Sequence, residues 1–432
     1  MSDTNKNKAV LSIVAAFTLL QVIILFVFGY TPYPDSEDYI RMARECLEAG
    51  EPYPTLWQYR NHMFIWNVGA INAVIFSLWA FKSVTPLLVF YALTKGATSW
   101  LLYQIVRKTV HPKAAFIALV IYVLYPANYG ESTAVLSEIP FQCAVMAGIL
   151  STLNQKPVAG GILIAAGNWF RPMGIVFLLS VCIFLWCGKK WKNSAKLIIG
   201  YLLFIGIIGT ASWSRTGDFI FQSRAGWAML MKHAWDNDKD QKADRKLFAH
   251  NDPMYDYGSS LNCAQKDSLF RHNFLVWLKH NPKEYFKQMP EKFIRTYISD
   301  NVNFCAFLPD KHERNYMYED LSMASLKKDF PHYAPVQILT LANLAYYYVL
   351  IACFGTGCIY LMRKKLFRPL ILPLGIIGLG TAFLLFVGHG EARYHQPFMP
   401  FMILTISTYI YDKYLNHIGN EKKTRLCHKQ CP

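Results

Sequence analysis

Asp35, Glu37 and Asp38 place three carboxylates within four residues, directly after the first long apolar run. A carboxylate held at the edge of a bilayer can take a proton from a hydroxyl while a lipid-borne partner stays in the membrane. Further acidic and basic groups recur at the ends of later apolar runs: Glu131 and Glu138, Arg171, Arg215 and Arg224, and the stretch His389-Gly390-Glu391-Ala392-Arg393-Tyr394-His395. Gathered from separate loops onto one membrane face, these groups suit transfer of a group from a phosphate leaving group to a hydroxyl. A carboxylate acts as base, and Arg or His neutralises the charge that develops on the phosphate.

The elements that must position them are membrane helices. Of 432 residues, 53% are hydrophobic and 17% charged, a composition too apolar for an ordinary soluble chain. The net charge of +16 does not imply a nucleic-acid partner. The polar stretch 215–335 is nearly balanced, with 18 Lys/Arg against 16 Asp/Glu. The excess lies in short loops: Arg107, Lys108 and Lys113; Lys189, Lys190, Lys192 and Lys196; Arg363, Lys364, Lys365 and Arg368. Such clusters mark cytoplasmic loops. The fold class expected is all-α and polytopic, with about ten transmembrane helices plus interfacial helices and a mostly helical exterior domain.

Spans are expected at about 9–29, 85–106, 114–130, 137–153, 157–170, 171–187, 196–214, 336–362, 369–388 and 396–411. If 63–81 also crossed, every later basic cluster would move outside, so it is read as interfacial or re-entrant. The chain then divides into an N-terminal transmembrane module (1–214, with the first exterior loop 30–62), an exterior domain (215–335) with helices near 268–280 and 283–298, C-terminal spans (336–411) and a cytoplasmic tail (412–432). Ile40, Ala43 and Leu47, at helical spacing among charged residues, predict a short amphipathic helix on the membrane surface. Cys263 and Cys305 fall in or near the exterior block and could pair. Cys427, His428 and Cys431 are a weak metal set, as are His389, Glu391 and His395.

Each chemical candidate has a plainer reading. Asp35 with Asp38 is a usable helix cap. Glu138 can hydrogen-bond a neighbouring helix, Arg171 can snorkel, and Glu391 can simply pair with Arg393. Lys95, in mid-span, is expected to face a water-filled cavity or reach an interface. Tyr53, Trp57, Tyr59 and Trp66 read as an interfacial belt.

Four motifs occur in order: Pro34-Asp35-Ser36-Glu37-Asp38-Tyr39; Leu124-Tyr125-Pro126 with Leu136-Ser137-Glu138-Ile139-Pro140-Phe141; Asn168-Trp169-Phe170-Arg171-Pro172; and Glu391-Ala392-Arg393-Tyr394-His395-Gln396-Pro397. Together they resemble the GT-C superfamily of integral membrane glycosyltransferases, nearest to the bacterial relatives of protein mannosyltransferases and to lipid A aminoarabinose transferases. The resemblance covers about 1–230 and 370–411. It implies inverting transfer of a sugar from a polyprenyl-phosphate donor lipid to a hydroxyl on a glycan, lipid or protein acceptor. Asp35 is then the general base, with Glu138 a second catalytic carboxylate. Arg393, Arg171 and His395 would hold the donor phosphate, and Tyr39, Glu391 and Tyr394 would contact substrate. No metal ligands are assigned, and a divalent cation stays open. Ser36 stands where the mannosyltransferases carry a second acid, so acceptor identity does not carry over. The absence of an Asn-x-Ser/Thr sequon favours a bacterial inner membrane, and the basic loops place the site on its periplasmic face. The competing readings are a polysaccharide ligase or polymerase using a polyprenyl-diphosphate donor, a transporter or flippase, and a non-catalytic scaffold.

Overall fold

The computed structural model describes residues 3–236, 248, 252, 254, 261–300, 302–308, 323–388 and 390–416. Every regular element among them is helical. In chain order these are α1 (Asp3–Phe28), α2 (Pro34–Glu48), α3 (Pro54–Asn61), α4 (Val68–Phe81), α5 (Thr85–Thr109), α6 (Pro112–Leu124), α7 (Glu138–Leu153) and α8 (Pro157–Phe170). There follow α9 (Gly174–Cys187), α10 (Trp191–Thr216), α11 (Gly226–Asp236), α12 (Cys263–His280), α13 (Pro282–Tyr297), α14 (Met323–Arg363), α15 (Arg368–Val387) and α16 (Met399–Ile410).

Each expected span corresponds to one of these helices. The segments Asn7–Phe28, Trp191–Thr216, Pro335–Arg363 and Arg368–Val387 are long and apolar enough to cross a bilayer unaided. They leave Leu19, Leu20, Leu202, Ile207 and Val349 exposed for lipid. Helices α7, α8 and α9, of 16, 14 and 14 residues, reach only about 21–24 Å against a hydrocarbon core of about 30 Å. The chain is an all-α, polytopic membrane protein.

Two local expectations change. The span expected over 114–130 stops at Leu124, and the chain turns by 69° into short 3₁₀ segments at Pro126–Asn128 and Glu131–Thr133. Pro126 has no N–H to continue the ladder and pushes Tyr125 out of the helical region (φ −73°, ψ 112°). The amphipathic helix expected on the membrane surface is α2, but its apolar face meets protein. Tyr39, Ile40, Ala43 and Cys46 are buried with Ile71, Val74 and Ile75 of α4 and Leu88 and Tyr91 of α5. Within 63–81 the one helix is α4, about 21 Å long.

Small residues let the short helices approach closely. A Cβ on Gly161 of α8 would stand 2.0 Å from the Leu197 carbonyl oxygen of α10. One on Gly200 of α10 would stand 2.0 Å from the Val158 oxygen of α8. This reciprocal backbone contact follows the small-residue rule of membrane helix pairs. Cys263 and Cys305 are both free thiols, the first on the Gln58 and His62 carbonyls and the second on the Tyr33 hydroxyl, so the expected pairing does not occur. The candidate metal set Cys427, His428 and Cys431 lies outside the described residues, as does His389.

Gly161→Leu forces α8 and α10 apart and should lower the thermal midpoint of the detergent-solubilised protein by several degrees, an overpacking cost of about 1–3 kcal/mol. An unshifted midpoint would exclude this close contact.

Candidate functional site

Asp35 stands in the first turn of α2, after Pro34 at the first helical position. Proline is suited there because its missing N–H would be unpaired anyway. The cap position belongs to Tyr33, which makes no side-chain cap bond, so Asp35 is not the helix cap that its spacing to Asp38 allows. Its carboxylate instead faces a residue far along the chain. Arg393 Nη2 lies 2.8 Å from Asp35 Oδ2. Arg393 Nε lies 2.7 Å from Glu391 Oε2 and 3.9 Å from Glu138 Oε1.

Glu138 opens α7, and its side chain is only 3% exposed. It pairs at 2.8 Å with Arg171 Nη1, at the end of α8. Arg171 also donates to the Ser137 hydroxyl at 3.3 Å. Asn67, just ahead of α4, donates to the Tyr39 hydroxyl at 2.7 Å and reaches Ser137 Oγ at 3.5 Å. The Tyr394 ring stands beside both guanidiniums, 4.6 Å from that of Arg171 and 5.6 Å from that of Arg393. A continuous polar chain thus runs from Asp35 through Arg393, Glu138, Arg171, Ser137 and Asn67 to Tyr39.

Burial works against the Arg393 cation, but Asp35, then Glu391 and Glu138, hold its pKa well above the ordinary guanidinium value. Burial, reinforced by Asp35 and Glu138, pushes the Tyr39 phenol far up, and burial with Glu391 does the same for Tyr394. Both tyrosines are neutral hydrogen-bonding groups at physiological pH.

This chain borders a cavity of about 540 Å³. Its wall includes Asp35, Tyr39, Arg171, Glu391, Arg393 and Tyr394, with Trp66, Asn67, Gln222 and Lys232 beside them. Six of the eight residues singled out from sequence therefore share one cavity. The other two stand behind it. Glu138 is turned to the two guanidiniums and does not form the wall. His395, expected on the donor phosphate, is fully buried, with Nδ1 2.6 Å from the Thr296 carbonyl oxygen and its ring beside Tyr297 and Tyr347. Its Nε2 is 3.7 Å from Asp300. The 3₁₀ turn Ala392–Phe398 sets residues two apart on different faces, so His395 points away from the cavity and ties the turn to α13.

Other residues that the sequence singled out are engaged elsewhere. Lys95, buried within α5, meets neither water nor an interface: its Nζ is 2.5 Å from Glu131 Oε2 and 3.0 Å from Asn128 Oδ1. Arg215 donates to the Ala211 oxygen and lies over the Tyr53 ring. Tyr53 itself is buried and stacked on Trp169, and Trp66 lines the cavity, so neither is simply a lipid-belt residue. Asp300, not anticipated, is fully buried and accepts hydrogen bonds from Tyr125 and from Gln396 at 3.2 Å.

A divalent cation does not fit these donors as they stand. Asp35 and Glu391 both face the cavity, yet the Arg393 guanidinium already bridges them. Among the described residues no cluster of three or more His, Cys, Asp or Glu side chains could hold a metal.

No protein-family model matches the chain, and no curated protein matches it. Solved structures do. The oligosaccharyltransferase AglB from Archaeoglobus fulgidus, in complex with an inhibitory peptide and a dolichol-phosphate, is 11% identical with a TM-score of 0.49, over 97% of this chain and 52% of that one. The A. fulgidus oligosaccharyltransferase complex with Zn and sulfate is 12% identical with a TM-score of 0.44, over 96% and 51%. ArnT from Cupriavidus metallidurans bound to undecaprenyl phosphate is 11% identical with a TM-score of 0.39, over 92% and 77%. The chain spans about half the length of the oligosaccharyltransferases it matches.

Removing Glu138 leaves Arg171 buried without its counter-ion. Glu138→Ala should cost about 3–5 kcal/mol, whereas replacing both partners, Glu138→Leu with Arg171→Leu, should cost less. Thermal denaturation of the single and double variants measures this; equal losses would show that the pair does not act as a unit.

Proposed function

We propose that this protein transfers a sugar from a polyprenyl-phosphate-linked donor to a hydroxyl acceptor on the non-cytoplasmic side of the membrane, with inversion at the sugar carbon. The observation that carries the proposal is the 2.8 Å contact between Asp35 and Arg393 in the wall of one cavity. A base and a phosphate-binding group, 358 positions apart in the chain, stand side by side. The dolichol-phosphate and undecaprenyl phosphate in the similar structures are lipids of the class proposed.

Inversion requires a single in-line displacement. The acceptor oxygen attacks the sugar C1 as the C1–O bond to phosphate breaks, so one base suffices. Asp35 takes the proton from the attacking hydroxyl. The leaving phosphate keeps the bonding electron pair, and its charge falls to Arg393 and Arg171, whose planar forks match phosphate oxygens. Lys232 adds a third cation on the cavity wall. Glu138 acts here as a positioning residue: it fixes both guanidiniums and touches neither substrate. Tyr39, Glu391 and Tyr394 line the space for the sugar and its acceptor.

The resting contacts order these events. Arg393 now spends two of its N–H directions on Asp35 and Glu391. A donor phosphate competes for that guanidinium, and each N–H it takes loosens Asp35 toward the acceptor. The donor therefore prepares the base.

Asp35→Asn should lower the transfer rate by about 10²- to 10⁴-fold, the usual contribution of a general base, in a protein that still inserts and folds. Wild-type turnover in that variant removes Asp35 from the reaction. Arg393→Lys keeps the charge but loses the fork, and should raise the KM for a polyprenyl-monophosphate sugar about tenfold or more while leaving the KM for acceptor near its wild-type value. Purified protein in nanodiscs, with monophosphate and diphosphate donors compared side by side, supplies both measurements. Turnover only on the diphosphate donor would favour the polysaccharide ligase or polymerase.

A further inference from the structure

A second cavity, of about 720 Å³, lies at the other end of the bundle. Two helices fix that relation. The catalytic cavity takes Met173 and Ile175 from the start of α9 and Phe383, Leu384 and Val387 from the end of α15. The second cavity takes Leu185 and Cys187 from the end of α9 and Arg368, Pro369, Ile371, Leu372 and Pro373 from the start of α15. Helices of 14 and 20 residues separate the two by about 20–30 Å, the depth of a hydrocarbon core.

Its lining differs from that of the first cavity in sign. Four cations border it: Lys108 from the last turn of α5, Lys189 and Lys190 after α9, and Arg368 at the start of α15. No carboxylate among the described residues does so. None of the four forms an ion pair within the described residues. All four are exposed, so their charged heads are open to a ligand. The deeper wall carries the buried Leu185, Leu372 and Leu404, beside Thr152, whose hydroxyl is spent on the Gly148 carbonyl oxygen. Lys189 is held at φ 57°, a left-handed conformation that a lysine rarely adopts.

Basic clusters of this kind usually report only which loops stay in the cytoplasm. Lys192 and Lys196 are of that sort: they sit on the same end, in the first turns of α10, and do not line the cavity. The other four come from three separate segments and converge on one concavity with an apolar floor. That combination matches a molecule with an anionic head and a hydrocarbon body. We propose that this cavity binds an anionic phospholipid of the leaflet opposite the Asp35 site, with its phosphodiester on Lys108, Lys189, Lys190 and Arg368 and the start of an acyl chain on the leucine floor. The site is independent of the transfer chemistry proposed above, since no residue is shared between the two cavities.

The test is native mass spectrometry of the full-length protein released from micelles doped with phosphatidylglycerol or phosphatidylethanolamine. The wild type should retain phosphatidylglycerol preferentially. Lys189→Gln with Arg368→Gln should weaken that retention by about fivefold per cation removed, at an unchanged thermal midpoint. Lys192→Gln with Lys196→Gln, which removes equal charge from the same end, should leave it unaltered. Modification of Cys187 by a maleimide, in detergent, should slow when phosphatidylglycerol is added, because the thiol borders the cavity. Equal retention of the two lipids, or equal weakening by the two double substitutions, overturns the proposal. Displacement of the lipid by millimolar inorganic phosphate also overturns it, in favour of a soluble phosphate ligand.

Discussion

A carboxylate with 3% of its side chain exposed cannot stay ionised without partners, and Glu138 has two of them, Arg171 and Arg393. That requirement ties the start of α7, the end of α8 and the 3₁₀ turn before α16 to one another. Through Arg393 it reaches Asp35 and so fixes the start of α2. Four segments distant in sequence are held in register by mutual neutralisation. The same constraint acts deeper in the bundle, where Lys95 is matched by Glu131 and the broken helix after Leu124 places that acid in reach.

Charge pairing also sets how the charged groups of the Asp35 cavity are held. Its guanidiniums are anchored from behind by Glu138 and from the front by Asp35 and Glu391. The rear contact is buried and keeps the forks oriented. The front contacts are only partly buried, with 27% and 33% of the two side chains exposed, so an incoming anion can replace them. Rigidity and exchangeability are thus divided between two sides of the same arginine.

The two ends of the bundle are chemically distinct although short helices join them. At one end carboxylates and guanidiniums interleave around an aromatic wall. At the other, four cations border a cavity that no acid among the described residues lines.

Much of this was legible in one dimension. Apolar runs and basic loops located the membrane helices, because hydropathy and helix length are local properties, and Asp35, Arg171 and Arg393 stood out as charges at the ends of those runs. Hydropathy did not separate Glu138, which faces two arginines, from Glu131, which faces a lysine, since both are acids at similar positions seven residues apart. Nor did it show that His395 turns inward while Arg393, two residues earlier, turns to the cavity: in a 3₁₀ turn residues two apart do not share a face. Lys232 and Asn67 carry no motif and joined the site only through folding. The amino-acid order by itself determined which segments enter the membrane and which ionisable groups wait at their ends. Only the tertiary structure decided which of those groups meet, because the partner of a buried charge is set by the packing of helices far apart in the chain.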